Sequence, residues 1–239
     1  MGLLNDMGRF FVDRERIVYS SGGKEASLYK ADAPDMPLIV FNNYSGDGSP
    51  VVAALMEMNC PDCNLVSVGG LDWNHDMTPW YCPPLYPEDT PCTGGADEYL
   101  KLLLEEIIPN TKEKLSGSPA FIGIAGYSLA GLFALYAIYQ TDCFDRVASM
   151  SGSLWFPDFK EYALQNKMKK EPERIYLSLG DKEARTKNQY LKTVQQNTEA
   201  IAEHYKELGL NVTCELSPGN HFKDADIRSA KGIAALLCH

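Results

Sequence analysis

Apolar strand-like runs alternate with helical periodicity along most of this chain, and that alternation narrows its possible folds more than any other feature. PLIVF (37–41), NLVSV (64–68), FIGIAGY (121–127), RVASMS (146–151), RIYLSL (174–179) and NVTCEL (211–216) are short and rich in apolar residues, the kind of run that a parallel sheet buries. Between them lie helical segments at 50–59, with Pro50 near the first turn, and at 96–115, where Leu100, Leu103, Leu104, Ile107 and Ile108 recur at helical spacing. Further helices are expected from Ser128 to Gln140 and over 158–166, 188–208 and 224–237. Strand, helix, strand in repetition implies right-handed crossovers and a mostly parallel sheet with helices on both faces. FFVDRERIVYS and EASLYKA, joined near Ser21-Gly22-Gly23, read as a hairpin that adds an antiparallel edge, for eight strands in all.

A length of 239 residues fits one α/β domain over 1–239. With 45% hydrophobic and 23% charged residues, the chain has ample material for a core. The formal net charge is -10 with no offsetting basic run, which excludes nucleic acid as an expected partner, since phosphates would be repelled. The N-terminus MGLLNDMGRFFVDRERIVYS lacks the basic start and the apolar stretch of about 7–15 residues of a signal peptide, and Asp6 spoils a myristoylation pattern. No run approaches the roughly 18–20 apolar residues of a membrane span, so no membrane association is expected. The seven cysteines, Cys60, Cys63, Cys82, Cys92, Cys143, Cys214 and Cys238, are odd in number and scattered. That suits free thiols in a reducing cytoplasm better than a disulfide framework. Oligomeric state leaves no signal.

One stretch breaks the alternation. LDWNHDMTPWYCPPLYPEDTPCTGG (71–95) carries five prolines, which exclude regular structure, and Trp73, Trp80, Tyr81 and Tyr86 are more aromatics than a linker needs. A long loop of this kind in a compact domain is usually a lid or a binding loop.

The motif with most chemical content is Gly126-Tyr127-Ser128-Leu129-Ala130-Gly131, set between an apolar strand and an apolar helix. A nucleophile elbow has this context. The turn strains its central residue and demands small neighbours, which Gly126, Ala130 and Gly131 supply. Ser128 would then lie at the carboxyl edge of the sheet and at a helix N-terminus, where N–H groups and the helix dipole favour developing negative charge. A serine N-cap after a glycine-rich turn is the plain alternative. The G-x-G-x-x-G spacing of a dinucleotide fingerprint is missing. Periodicity alone leaves an ordinary doubly wound fold open; the elbow points instead to the α/β-hydrolase layout.

An activated serine needs an imidazole within reach, and the chain has four histidines. His204 falls within a helix, His239 ends the chain, and His75 lies in the proline-rich loop as a candidate substrate contact. His221, in SPGNHF between the last strand and the last helix, stands where this fold carries its base. An acid should orient it, and GDKEARTKN after strand 174–179 offers Glu183, with Asp181 as the alternate. For the oxyanion, the N–H of Leu129 should be one donor. The loop Asn42-Asn43-Tyr44-Ser45-Gly46 should supply the other from Asn43 or Tyr44. Trp155, in Ser151-Gly152-Ser153-Leu154-Trp155-Phe156, is a candidate pocket wall beside Trp73 and Trp80.

GYSLAGLFALYA followed by DRVASMSGSLWF, together with DMTPW and GGADEYLKLLLEEIIP, resembles the esterase D-like branch of the α/β-hydrolases, over roughly residues 37–237. That branch includes siderophore, feruloyl and acetyl esterases and S-formylglutathione hydrolases. The resemblance implies Ser128 as nucleophile, His221 as base and Glu183 as the acid three residues past Gly180. Ala130 and the NHF around the histidine depart from the branch's usual pattern. The N-terminal region is also very short, which speaks against a substrate that needs an extra N-terminal domain.

Cys60-Pro-Asp-Cys63 ends a helix and leads into a strand, the reverse of a thioredoxin motif, and no second pair completes a zinc site. The expectation is hydrolysis of a small-molecule carboxylic ester through an acyl-enzyme, with no metal or organic cofactor. Thioester hydrolysis, acyl transfer, and a non-catalytic binding protein of the same fold are the rivals.

Overall fold

A computed structural model describes residues 14–238. The opening residues of the chain, with the first part of the FFVDRERIVYS strand, and His239 lie outside the described residues. Strands β1 (Arg16–Ser21) and β2 (Lys24–Tyr29) form the hairpin, β3 (Leu38–Asn42) follows, and helix α1 (Ser49–Glu57) leads to β4 (Asn64–Gly69). After the 71–95 segment come α3 (Ala96–Leu102), α4 (Ile108–Lys112), β7 (Ile122–Tyr127), α5 (Leu129–Gln140) and β8 (Arg146–Met150). Helix α6 (Phe159–Gln165), β9 (Arg174–Gly180), α7 (Val194–Glu207), β10 (Val212–Ser217) and α8 (Ala225–Leu237) complete the series. The segment 71–95 itself holds a short helix α2 (Trp73–Asp76) and a two-residue ladder of β5 (Tyr81–Cys82) and β6 (Cys92–Thr93).

The main sheet has eight strands in the order β1-β2-β4-β3-β7-β8-β9-β10. Only β2 runs against its neighbours; every pair from β4 to β10 is parallel. This is the α/β-hydrolase fold. Side chains alternate across the strands: Leu38 and Val40 join one core with Val66, while Ile39 and Phe41 join the other with Leu65. Helices α1 and α8 cover the second face through Val51, Val52, Leu55, Ile233 and Leu236. Helices α3, α4, α5, α6 and α7 cover the first. All but Gln140 of α5 is buried, as an all-apolar helix requires. No helix among the described residues is long and apolar enough to cross a membrane.

Three details depart from the sequence expectation. The helix expected over 96–115 passes through a π-helical turn at Leu103–Ile107, because Pro109 has no N–H to continue the α ladder there, and it ends at Lys112. The helix expected from 188 begins with a 3₁₀ turn at Leu191–Thr193. Asn188 forms a side-chain cap there, its Oδ1 accepting from the Tyr190 and Leu191 N–H groups. Within 71–95 the prolines break the chain into fragments without abolishing regular structure.

Candidate active site

Ser128 sits on the turn between β7 and α5 with φ 61° and ψ -125°. A non-glycine residue there stores on the order of 1–3 kcal/mol of strain, which persists only if the surroundings over-determine it. Here the Ser128 N–H donates to the Met150 carbonyl at 3.1 Å, and the Ser128 carbonyl accepts from the N–H groups of Gly131, Leu132 and Ser153 at 3.0–3.1 Å. The close approach explains the small neighbours. A Cβ on Gly126 would come within 2.2 Å of the Ala130 carbonyl oxygen, and one on Gly131 within 2.8 Å of Ser149 Oγ.

The loops after β9 and β10 bring a carboxylate and an imidazole to this serine. His221 Nε2 lies 3.0 Å from Ser128 Oγ, and His221 Nδ1 lies 2.7 Å from Glu183 Oε2. The other carboxylate oxygen, Oε1, accepts from Ser151 Oγ at 2.7 Å, the Gly180 N–H at 2.6 Å and Arg228 Nη1 at 3.2 Å. Burial pushes the Glu183 carboxyl up, but the hydrogen bonds from His221, Ser151 and Gly180 outweigh it and hold its pKa below the ordinary value. The Tyr127 hydroxyl donates to the His221 carbonyl at 2.7 Å. Asp181, the alternate acid, does not touch the imidazole. Its Oδ1 accepts from the Gly219 N–H at 2.8 Å, so it braces the histidine loop.

Sequence reading missed Arg228, buried on α8 with only 4% of its side chain exposed. Its guanidinium reaches Ser151, Glu183, and the carbonyls of Asn220 and Pro218 at 3.1–3.2 Å. A lone arginine in a helix carries no local mark of such a role. Ser151 had a weak sign: it is a serine just past the carboxyl end of a strand, and it adopts φ 45°.

As first residue of α5, Leu129 has an N–H with no intrahelical acceptor. The two loop candidates separate. The Asn43 N–H donates to the Val68 carbonyl at 2.9 Å, so it is spent on extending the sheet and is not free to meet an oxyanion. The Tyr44 N–H makes no hydrogen bond among the described residues.

Two cavities flank the serine. One, of about 450 Å³, is lined by Trp73, Leu85, Tyr86, Ser128, Trp155 and Val194 among others. The second, of about 490 Å³, is lined by Asn42, Tyr44, Pro50, Ser128, Phe222 and Ser229 among others. Trp73, Ser128, His221 and Phe222 border both, and Tyr44 meets Trp73 edge-on at 5.1 Å. Of the four expected substrate contacts, Trp73 and Trp155 line the first cavity and Trp73 the second as well; His75 and Trp80 line neither of these two. His75 Nδ1 bonds Thr93 Oγ1 at 2.7 Å, and its ring occupies the space that a side chain on Gly95 would need. Trp80 donates from Nε1 to the Pro157 carbonyl at 2.9 Å and packs among Tyr136, Phe156, Phe159 and Tyr162. An aromatic beside a pocket sequence is as easily core as wall, and only packing separates the two.

The family model described as "Putative esterase" matches residues 59–224. The chain therefore belongs to that family and is a hydrolase acting on esters. A protein of Bacillus subtilis, "Uncharacterized protein YbbA", is 25% identical over 192 residues, covering 76% of this chain and 75% of its own length. Among solved structures, an IroE-like serine hydrolase from Shewanella oneidensis superposes with a TM-score of 0.76 at 17% identity, covering 93% of this chain and 80% of the other. The siderophore hydrolase EstB from Aspergillus nidulans gives 0.65 at 20% identity, with 93% and 94% covered. At such identities these structures speak for the fold.

Proposed function

We propose that the chain is a serine esterase that works through an acyl-enzyme on Ser128. One observation carries this reading: the Ser128 hydroxyl, the His221 imidazole and the Glu183 carboxylate stand in one hydrogen-bonded line at a strained elbow. His221 Nε2 takes the hydroxyl proton as Oγ attacks the ester carbonyl carbon. The N–H groups of Leu129 and Tyr44 receive the oxyanion. His221 then returns the proton to the departing alcohol, and water repeats the sequence on the acyl-enzyme. Glu183 keeps the Nδ1 proton directed toward itself and stabilises the imidazolium. Ser151, Gly180 and Arg228 fix the carboxylate in turn.

The two cavities would hold the two halves of the ester, one on each side of Ser128. Their linings carry the carboxylates Asp89, Glu183 and Asp226, and no lysine or arginine among the described residues. This favours an uncharged ester with apolar or aromatic groups over an anionic one. The siderophore hydrolase among the structural neighbours makes siderophore esters a reasonable comparison set.

The test is labelling with a fluorophosphonate followed by peptide mapping, together with turnover of p-nitrophenyl esters of increasing acyl length. Label on Ser128 and turnover lost in Ser128→Ala are expected. Turnover retained by a folded Ser128→Ala variant ends the proposal.

A further inference from the structure

Two cysteines meet in the wall of the first cavity. Cys82 ends β5 and Cys92 begins β6, and they stand directly opposite one another across the antiparallel ladder. Residues so paired have Cα atoms about 4.5–5.5 Å apart, inside the roughly 4.4–6.8 Å that a disulfide spans. Both are free thiols here and both are buried, yet both border the cavity that contains Ser128. A small oxidant entering that cavity meets both thiols in its wall. The nine residues between them supply Pro83, Leu85, Tyr86, Asp89 and Thr90 to the same wall.

We propose that Cys82 and Cys92 form a reversible disulfide that closes residues 83–91 into a covalent ring at the cavity wall. The oxidant is a low-molecular-weight disulfide. The Cys82 thiolate attacks one sulfur of it, expels the first small thiolate and leaves a mixed disulfide. Cys92, giving up its proton, attacks the Cys82 sulfur and expels the second. Two electrons pass from the protein thiols to the external disulfide, and the two released protons are taken up by the two small thiols or by solvent. The neighbouring Cys92 draws the Cys82 thiol below its ordinary pKa against the effect of burial, while Cys82 and burial push Cys92 up, and this favours Cys82 as the first attacker. Cys63, by contrast, is pushed up to about 12 by burial and has no such partner opposite it.

The inference is independent of the esterase reading, because its primary readout is covalent. The full chain is equilibrated with glutathione disulfide, alkylated and digested after both aspartate and glutamate, so that Asp62, Asp72, Asp76 and Glu88 put Cys60, Cys63, Cys82 and Cys92 on separate peptides, and the unreduced peptides are weighed. A link between the Cys82 and Cys92 peptides, released by reductant, is expected. Cys92 recovered unlinked, or linked to Cys60 or Cys63, overturns the proposal. The melting temperature serves as the second measure. Closing a loop of this length should raise it by roughly 5–10 °C on oxidation. Cys82→Ser with Cys92→Ser should abolish the rise; a rise retained in that double variant assigns it elsewhere and sinks the idea.

Discussion

The loops after β9 and β10 and the loop at 71–95 both border the cavity at Ser128, and they draw on hydrogen bonds and packing in different proportion. The first two, carrying Glu183 and His221, are bound by directional contacts: Glu183 receives four donors counting the imidazole, and Asp181 and Arg228 tie the loops to each other. The third has hydrogen bonds too, from Trp80 Nε1 to the Pro157 carbonyl and from Asn188 Nδ2 to the Leu85 carbonyl among them, but it adds an aromatic cluster of Trp80 with Tyr136, Phe156, Phe159 and Tyr162, while Trp73 and Tyr44 meet at the rim. The contrast follows from the task. Proton transfer depends on angle and distance at single atoms, which hydrogen bonds specify. A substrate wall needs shape, which packing specifies.

The comparison can be broken most sharply at the serine. Ser128→Ala should lower kcat for p-nitrophenyl acetate by about 10⁶-fold, as removal of a nucleophile does. Ser128→Gly should be equally inactive and should also raise the denaturation free energy by about 1–2 kcal/mol, because glycine relaxes the positive φ. Glu183→Gln should lower kcat by about 10⁴-fold with little change in KM, since the amide favours the wrong imidazole tautomer. Arg228→Met should cost about 3–5 kcal/mol in urea unfolding, because it leaves a buried carboxylate short of its cation. If it costs under 1 kcal/mol, the directional account of this side is wrong.

Smaller effects should fall on the packed side and divide by residue. Trp80→Ala should lower stability by about 3 kcal/mol, and its KM should stay near the parent value. Trp155→Ala should raise KM for bulky esters about tenfold, or about 1.4 kcal/mol, with less effect on stability. An exchange of these outcomes would place Trp80 in the substrate's path. The smallest effect is with pH. Glu183 has a folded pKa below its ordinary 4.5, so its contribution to stability is complete above about pH 4.5 and is lost as pH falls through the folded value. Melting temperature between pH 5 and 3 should therefore fall more steeply for the parent than for Glu183→Gln.

Much of this was legible in local pattern. The eight strands in their succession along the chain, the antiparallel edge and the elbow all rest on neighbours within a few residues. So does the position of His221, in the loop between the last strand and the last helix. The choice between Glu183 and Asp181 was not, because two carboxylates two residues apart differ only in which one reaches the imidazole across 38 positions of chain. Asn43 and Tyr44 were inseparable for the same reason. The Val68 carbonyl that occupies the Asn43 N–H comes from a neighbouring strand. Trp80 and His75 looked like substrate contacts because aromatic and polar loop residues read alike until their partners are known.

Periodicity and turn chemistry suffice to set the layers, the succession of strands along the chain and the strained serine, since each depends on short-range backbone preference and on burial of one face. The meeting of Ser128 with His221, the burial of Arg228 against Glu183 and the opposition of Cys82 to Cys92 belong to the folded chain. Each joins residues brought together by sheet order, crossover or a long loop, and no local rule reports where a distant side chain will arrive.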